Sequence, residues 1–287
     1  MKISGFTIIR NAIKYDYPIV QAISSILPIC DEVVVCVGHS EDETLALIRS
    51  IPSDKIRIIQ SIWDDTLREG GKVLALETDK ALDAISVDAD WAFYIQGDEV
   101  VHEQYYPAIR AAMEKHLENS RVEGLLFHYE HFYGNYRYVG DSRTWYRNEI
   151  RIIRNDKRIR AYRDAQGFRK NGKKLRVKPV EAWIYHYGWV KNPYFQSVKR
   201  VNFLKMYQPD EKITLHADQL FDYSAVDSLR LFSGTHPKVM LERIASMDWD
   251  FEFDLKKKQF NFRYGFLYWF EKITGKRLFE YKNYRFV

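Results

Sequence analysis

The stretch Asp88-Ala89-Asp90-Trp91-Ala92-Phe93-Tyr94-Ile95-Gln96-Gly97-Asp98-Glu99-Val100-Val101-His102-Glu103 decides how this chain is read. Trp91–Ile95 is an apolar run of strand length, and it stops abruptly at Gln96-Gly97-Asp98-Glu99. Adjacent carboxylates at the rim of a core are costly to desolvate unless they are solvated, paired or bound to a cation. In open α/β sheets, ligands sit at the carboxyl ends of strands. Alone, an Asp-Glu pair after a strand reads as a solvated turn. The surrounding chain changes that reading.

Upstream, strand and helix patterns alternate. Ile3–Ile9 is predicted as the first strand and Arg10–Tyr17 as a polar loop at its carboxyl end. Pro18 sits where a helix starts, and helix Ile19–Leu27 stops before Pro28. Glu32–Val37 is an almost unbroken β-branched run, expected as a central strand. Ser40 and Glu43 have capping-box spacing, which predicts a helix from Ser40 to about Ser50. Asp42 falls in its first turn, where the helix dipole favours a carboxylate. Lys55–Ile62 is a third strand, and Gly70-Gly71-Lys72 leads into helix Val73–Ser86. Asp90–Ile95 is the fourth strand. The alternation implies parallel pairing and right-handed crossovers. The Arg10–Tyr17 and Gly38–Asp42 loops then share one rim with Gln96–Glu99.

Downstream, the pattern turns antiparallel after helix Tyr106–Leu117. Gly124–Phe132 and Arg147–Ile153 are predicted strands. Ile159–Phe168 and Lys174–Val180 flank Asn171-Gly172, a strong hairpin signal. Glu181–Val190 is an aromatic strand. Pro193–Tyr207, Pro237–Ser246 and Phe260–Ile273 read as helices, the last stopped by Gly275. The expected fold is α/β: a Rossmann-like, mostly parallel central sheet flanked by helices, with an antiparallel extension and C-terminal helices.

The 287 residues suffice for one large α/β domain with additions, or two small ones. Against 39 acidic residues stand 44 basic ones. That mild excess suits an anionic ligand, and no nucleic-acid partner is expected. Cys30 and Cys36 form neither a metal spacing nor a disulfide framework, so a reducing cytosol is the default. No apolar run approaches membrane-spanning length, and the N-terminal stretch broken by Arg10 reads as a strand, not a signal peptide.

Three motifs in order carry a resemblance. Ile3–Asn11 resembles the opening strand of family-2 glycosyltransferases of the GT-A fold, small bacterial inverting enzymes. Val37-Gly38-His39-Ser40-Glu41-Asp42-Glu43-Thr44 resembles their nucleoside-holding loop, with Ser40, Asp42 and Thr44 matching and Gly38 and His39 departing. Phe93–Val100 resembles their Asp-x-Asp strand end, with Gln96 at the first acidic position and Asp98 at the second. The segments around His186-Tyr187-Gly188-Trp189 and Gly234-Thr235-His236-Pro237 resemble a subgroup of these enzymes.

The resemblance implies a nucleotide-diphosphate sugar donor, UDP- or GDP-linked, and a saccharide or glycolipid acceptor. It also implies a role in bacterial cell-surface polysaccharide or glycolipid synthesis. The expected location is cytoplasmic, at most peripheral on the inner membrane face. Residues 1–190 are expected as the catalytic domain: 1–101 for the nucleotide sugar and 102–190 for the acceptor. A helical extension, 191–287, would pack on it. Mg²⁺ or Mn²⁺ would neutralise the diphosphate, with Asp98 as ligand. Glu99 would bind it too or act on the acceptor side. His186 either completes that site or is hydrogen-bonded in an aromatic core. Asp42, Ser40, Asn11, Lys72 and Gln96 are expected around the nucleotide sugar. Arg151 and Arg154 either pair with the diphosphate or are solvated edge residues. The general base is Asp164 or Glu149; Asp164 is preferred because a loop between strands faces a cleft more readily.

Two other classes stand beside this one. A sugar nucleotidyltransferase would begin with a Gly-rich arginine loop, and Arg10–Tyr17 has no glycine. A carbohydrate-binding module would explain the aromatic residues but needs no acidic rim. The basic, aromatic segment Lys256–Val287 suits a membrane surface or a partner, or else a helix docked on the core.

Overall fold

The computed structural model describes residues 1–214, 216 and 218–287. The first half alternates as read. Strand β1 (Ile3–Ile9), helix α1 (Ile19–Ile26), β2 (Glu32–Gly38), α2 (Thr44–Arg49), β3 (Ile56–Ser61), α3 (Lys72–Asp83) and β4 (Trp91–Tyr94) follow in order. The strands lie β3-β2-β1-β4, all parallel. Every residue of β1 is buried, because helices cover both faces. The two-residue period sorts the side chains. Ile3, Val33, Val35 and Phe93 meet Ile19, Ile23 and Ile26 of α1 on one face. Phe6, Val34, Cys36 and Tyr94 meet Val73, Ala81 and Leu82 of α3 on the other. Each fully buried Ile of α1 contributes roughly 1.5–3 kcal/mol.

The second half extends the same sheet. It contains β5 (Glu99–Val101), α4 (Tyr106–Lys115), β6 (Gly124–Tyr133), β7 (Asn135–Gly140) and β8 (Asn148–Arg154). Strand β8 inserts between β4 and β6, antiparallel to both. Then β9 (Ile159–Tyr162), β10 (Gly167–Lys170) and β11 (Lys173–Lys174) form a separate small sheet. Strand β12 (Arg176–Trp189) runs parallel to β6 and antiparallel to β5. Helix α5 (Pro193–Lys205), β13 (Leu229–Leu231), α6 (Leu241–Ala245), α7 (Phe262–Thr274) and β14 (Arg285–Phe286) complete the chain, with β13 on β7 and β14 on β12. A mostly parallel sheet flanked by helices, with an antiparallel extension and C-terminal helices, is therefore the architecture.

Several elements differ from expectation. The run Ile159–Phe168 is two strands, broken where Arg163 and Ala165 adopt positive φ of 57° and 60°. Lys174–Val180 and Glu181–Val190 belong largely to one 14-residue strand, whose register shifts between Pro179 and Trp183. Proline lacks the ladder donor, and a bulge accommodates it. The helix predicted from Ser40 starts at Thr44. The Asn171-Gly172 hairpin forms as read, both residues at positive φ.

Candidate active site

The loops after β1 and β2 are tied together by short polar side chains. Ser40 Oγ accepts from Asn11 N at 3.0 Å and donates to the Gly38 carbonyl at 2.8 Å. This engagement removes Ser40 from the helix cap. Asn11 Oδ1 accepts from Glu41 N at 2.7 Å. Thr44 Oγ1 accepts from Ala12 N at 2.7 Å, and Asp42 Oδ2 from Lys14 N at 2.7 Å. Asp42 Oδ1 accepts from Thr44 N at 3.0 Å, an Asx turn that leads into α2. Lys72 is exposed at the start of α3 and pairs with Glu69 at 2.6 Å. None of Asn11, Ser40, Asp42 and Lys72 lines the cleft described next.

That cleft, of about 310 Å³, opens where β4 ends. It gathers Gln96, Asp98, Asp164, His186 and Lys199 between aromatic walls that include Tyr17 and Trp63. Asp98 is buried, with Lys199 Nζ 2.9 Å from its Oδ2 and His186 Nε2 3.8 Å from its Oδ1. Burial pushes this carboxyl up, but Lys199, then His186, hold it well below the usual range. Lys199 also donates to the Gly188 carbonyl at 3.0 Å. Its helix α5 begins at Pro193, capped by Asn192 Oδ1 accepting from Tyr194 N. Gly188 is required here: a Cβ would lie 2.6 Å from His186 Nε2 and 2.7 Å from Asp98 Oδ2.

The hydrogen bonds set the histidine tautomers. His131 Nε2 is 2.8 Å from the Tyr146 carbonyl, which only accepts, so Nε2 carries the proton. Burial lowers the pKa of both His131 and His186 and keeps them neutral. His131 Nδ1 is then an acceptor, and His186 Nδ1, 3.1 Å away, donates to it. His186 Nε2 is left as a bare lone pair facing Asp98 Oδ1. Lys199 already neutralises the other carboxylate oxygen at 2.9 Å, and the 3.8 Å between these two acceptors leaves room for a cation beside it. Among the described residues, no three His, Cys, Asp or Glu side chains form a metal-holding group. Asp98 and His186 would supply two ligands, the rest coming from a bound phosphate and water, a shell suited to Mg²⁺ or Mn²⁺.

Glu99 corrects the expectation of a cleft-facing acid. It is fully buried, held bidentately by Arg151 at 2.7 and 2.8 Å, with Tyr129 OH donating at 2.8 Å. Gln96–Glu99 form a turn closed by Glu99 N donating to the Gln96 carbonyl at 3.1 Å. Asp98 in the turn faces the cleft, and Glu99, the first residue of β5, faces the core. Arg151 is therefore neither a diphosphate ligand nor a solvated edge residue. Arg154 is neither as well: its guanidinium covers the Trp91 ring at 3.9 Å and donates to the Val122 carbonyl.

Asp164 sits in the turn between β9 and β10, half-buried, with Tyr207 OH donating to Oδ2 at 2.8 Å. Its neighbours Arg163 and Ala165 both carry the left-handed conformation. Such strain is held in place only by surrounding structure. Asp164 borders both this cleft and a larger cavity of about 490 Å³ behind it. Glu149 lines only the larger one. Burial pushes its carboxyl up to about 7, and Gln166 Nε2 donates to it at 2.9 Å.

Sequence reasoning missed Lys199, His131 and Lys191. Lys191 is fully buried, and its Nζ donates to the carbonyls of Tyr15 at 2.9 Å and Asp16 at 3.0 Å, fixing the first loop to the end of β12. Burial holds its pKa well below the usual lysine value. The one signal for it was a lysine immediately after an apolar strand, in Trp189-Val190-Lys191.

No protein-family model and no curated protein matches the chain. Solved structures of similar fold include Staphylococcus aureus TarS residues 1–349 in complex with UDP. It is 16% identical, over 73% of this chain and 67% of that one, with a TM-score of 0.41. Of a longer TarS chain, the match spans only 38%. Glucosyl-3-phosphoglycerate synthase from Mycobacterium tuberculosis, solved with Mn²⁺, UDP and phosphoglyceric acid, is 24% identical over 46% of this chain and 43% of that one, with a TM-score of 0.29. A 4-diphosphocytidyl-2C-methyl-D-erythritol synthase from Anaerococcus prevotii is 12% identical over 54% of this chain and 71% of that one, at 0.34.

Proposed function

We propose that this protein is an inverting glycosyltransferase, moving a sugar from a nucleotide-diphosphate donor to a saccharide or glycolipid hydroxyl. The observation that carries the reading is the pair of facing acceptors, Asp98 Oδ1 and His186 Nε2, at the end of a buried strand. Asp98 and His186 would hold Mg²⁺ or Mn²⁺, which when bound neutralises the diphosphate leaving group. Lys199 keeps Asp98 ionised and adds positive charge beside the phosphates. Gln96, neutral at the cleft floor, hydrogen-bonds the ribose or the sugar. Asp164 takes the proton from the acceptor hydroxyl. It is a better base than Glu149, whose carboxyl is buried away from the Asp98 cleft. Such enzymes serve bacterial cell-surface polysaccharide or glycolipid synthesis, and that is the role we assign.

Calorimetric titration of UDP and GDP tests this reading, with Mn²⁺ and with EDTA. One nucleotide is expected to bind in Mn²⁺ and to lose at least tenfold in affinity in EDTA. Binding of neither under any condition removes the reading. In turnover, release of nucleoside diphosphate supports transfer, whereas release of pyrophosphate from a nucleoside triphosphate would make the protein a sugar nucleotidyltransferase.

A further inference from the structure

Helix α7 turns an apolar stripe away from the protein. Phe262, Phe266, Trp269 and Ile273 are spaced by four, three and four residues. At 3.6 residues per turn they fall within a band about 60° wide. They are 95%, 62%, 58% and 82% exposed. Leu267 and Tyr268 point inward and are buried, while Glu271 pairs with Arg143 at 2.9 Å and Arg277 at 3.3 Å. The helix is therefore docked by one side and bare on the other. Its ends are fixed: Asn261 Oδ1 accepts from Tyr264 N at 2.9 Å, and Gly275 closes it at φ 69°. A large exposed apolar patch marks an interaction surface.

We infer that this face of α7 lies on an anionic lipid surface. Charge selects that occupant. Residues 256–287 hold nine Lys and Arg against two acids, Glu271 and Glu280. Both acids are tied internally, Glu280 to Arg147 at 3.0 Å, as are Lys258, Lys272 and Arg277. Lys256, Lys257, Arg263, Lys276, Lys282 and Arg285 remain exposed, so the outward charge of the segment is basic. Arg263 lies exposed at one edge of the stripe and Lys276 lies exposed just past its end, whereas Lys272 is paired with Asp141. From there long side chains reach lipid phosphates while the aromatic rings enter the headgroup boundary. No helix among the described residues is long and apolar enough to cross a membrane, so the contact is peripheral. The inner edge of the same helix, at Tyr264 and Leu267, walls the larger cavity next to Asp164. A protein resting on this face would hold that cavity at the lipid surface. The inference does not depend on the glycosyltransferase reading.

Co-sedimentation of the full chain with vesicles tests it. Binding is expected to phosphatidylglycerol-containing vesicles at low salt, weaker at high salt, and at least tenfold weaker to pure phosphatidylcholine. The double variant Phe266→Ser, Trp269→Ser should lose binding at least tenfold with an unchanged melting temperature, since both side chains are solvent-exposed. No binding at low salt overturns the inference, as does undiminished binding of the double variant. A wild-type dimer in light scattering that the double variant converts to monomer would assign the face to a second copy, and also overturns it.

Discussion

At the ends of β1 and β2, Asn11, Ser40, Asp42 and Thr44 direct their side chains at main-chain amides of each other's loops. At the ends of β4 and β12, Asp98 and His186 direct theirs at each other across the mouth of a cleft. Both rims are rich in polar residues that resemble nucleotide-binding motifs. The first uses them to hold the shape of the loops, because a backbone N–H satisfies each short acceptor. The second engages one atom of each side chain, Asp98 Oδ2 with Lys199 and His186 Nδ1 with His131. It leaves the other two acceptors facing each other, an arrangement that needs positive charge close by. A motif's residue types therefore do not say whether its polar atoms are already engaged.

The largest expected effect lies at the second rim. Asp98→Ala should abolish transfer and remove the Mn²⁺-dependent part of nucleotide binding, measured by product release and calorimetry. Normal transfer by this variant would show that the facing acceptors are not the working site. Next comes Asp164→Asn, expected to lower turnover by roughly two to four orders of magnitude with nucleotide binding intact. Glu149→Gln should change turnover only a few-fold, because a neutral amide replaces a carboxyl that burial already holds protonated up to about 7. A reversal of these two outcomes would move the base to Glu149. The smallest effect is at the first rim. Asp42→Ala should cost about 1–2 kcal/mol of stability through the lost Asx turn and the freed Lys14 amide. Denaturant titration checks this. A loss of nucleotide affinity exceeding that stability loss would place Asp42 at the ligand and erase the contrast between the rims.

Much of the parallel half was legible in the sequence. Strand β1 matches its expected limits because a β-branched and aromatic run buried on both faces leaves few alternatives. The place of Asp98 at the end of a buried strand was legible because that strand ends so sharply. Glu99 was misread because its partner Arg151 lies 52 residues away, and only pairing of β8 beside β4 brings it close. Ser40 and Glu43 have true capping-box spacing, but the Asn11 amide competes for the hydroxyl and wins. Lys199 carries no local signal. Its place at Asp98 depends on how α5 packs after β12, a long-range outcome that propensity does not encode. Likewise β5 and β13, each three residues long, are too short to show a period.

The staples between the first two loops also bear on how the protein can change over generations. Their donors are amides, at Asn11, Ala12, Lys14 and Glu41, which every residue but proline provides. Selection on those bonds therefore falls on the four acceptor side chains and leaves their exposed neighbours Ile13, Lys14, Glu41 and Glu43 free to drift. A descendant can exchange the charge and size of that outer edge one substitution at a time, acquiring a new preference for what it meets there, while the loops keep their shape.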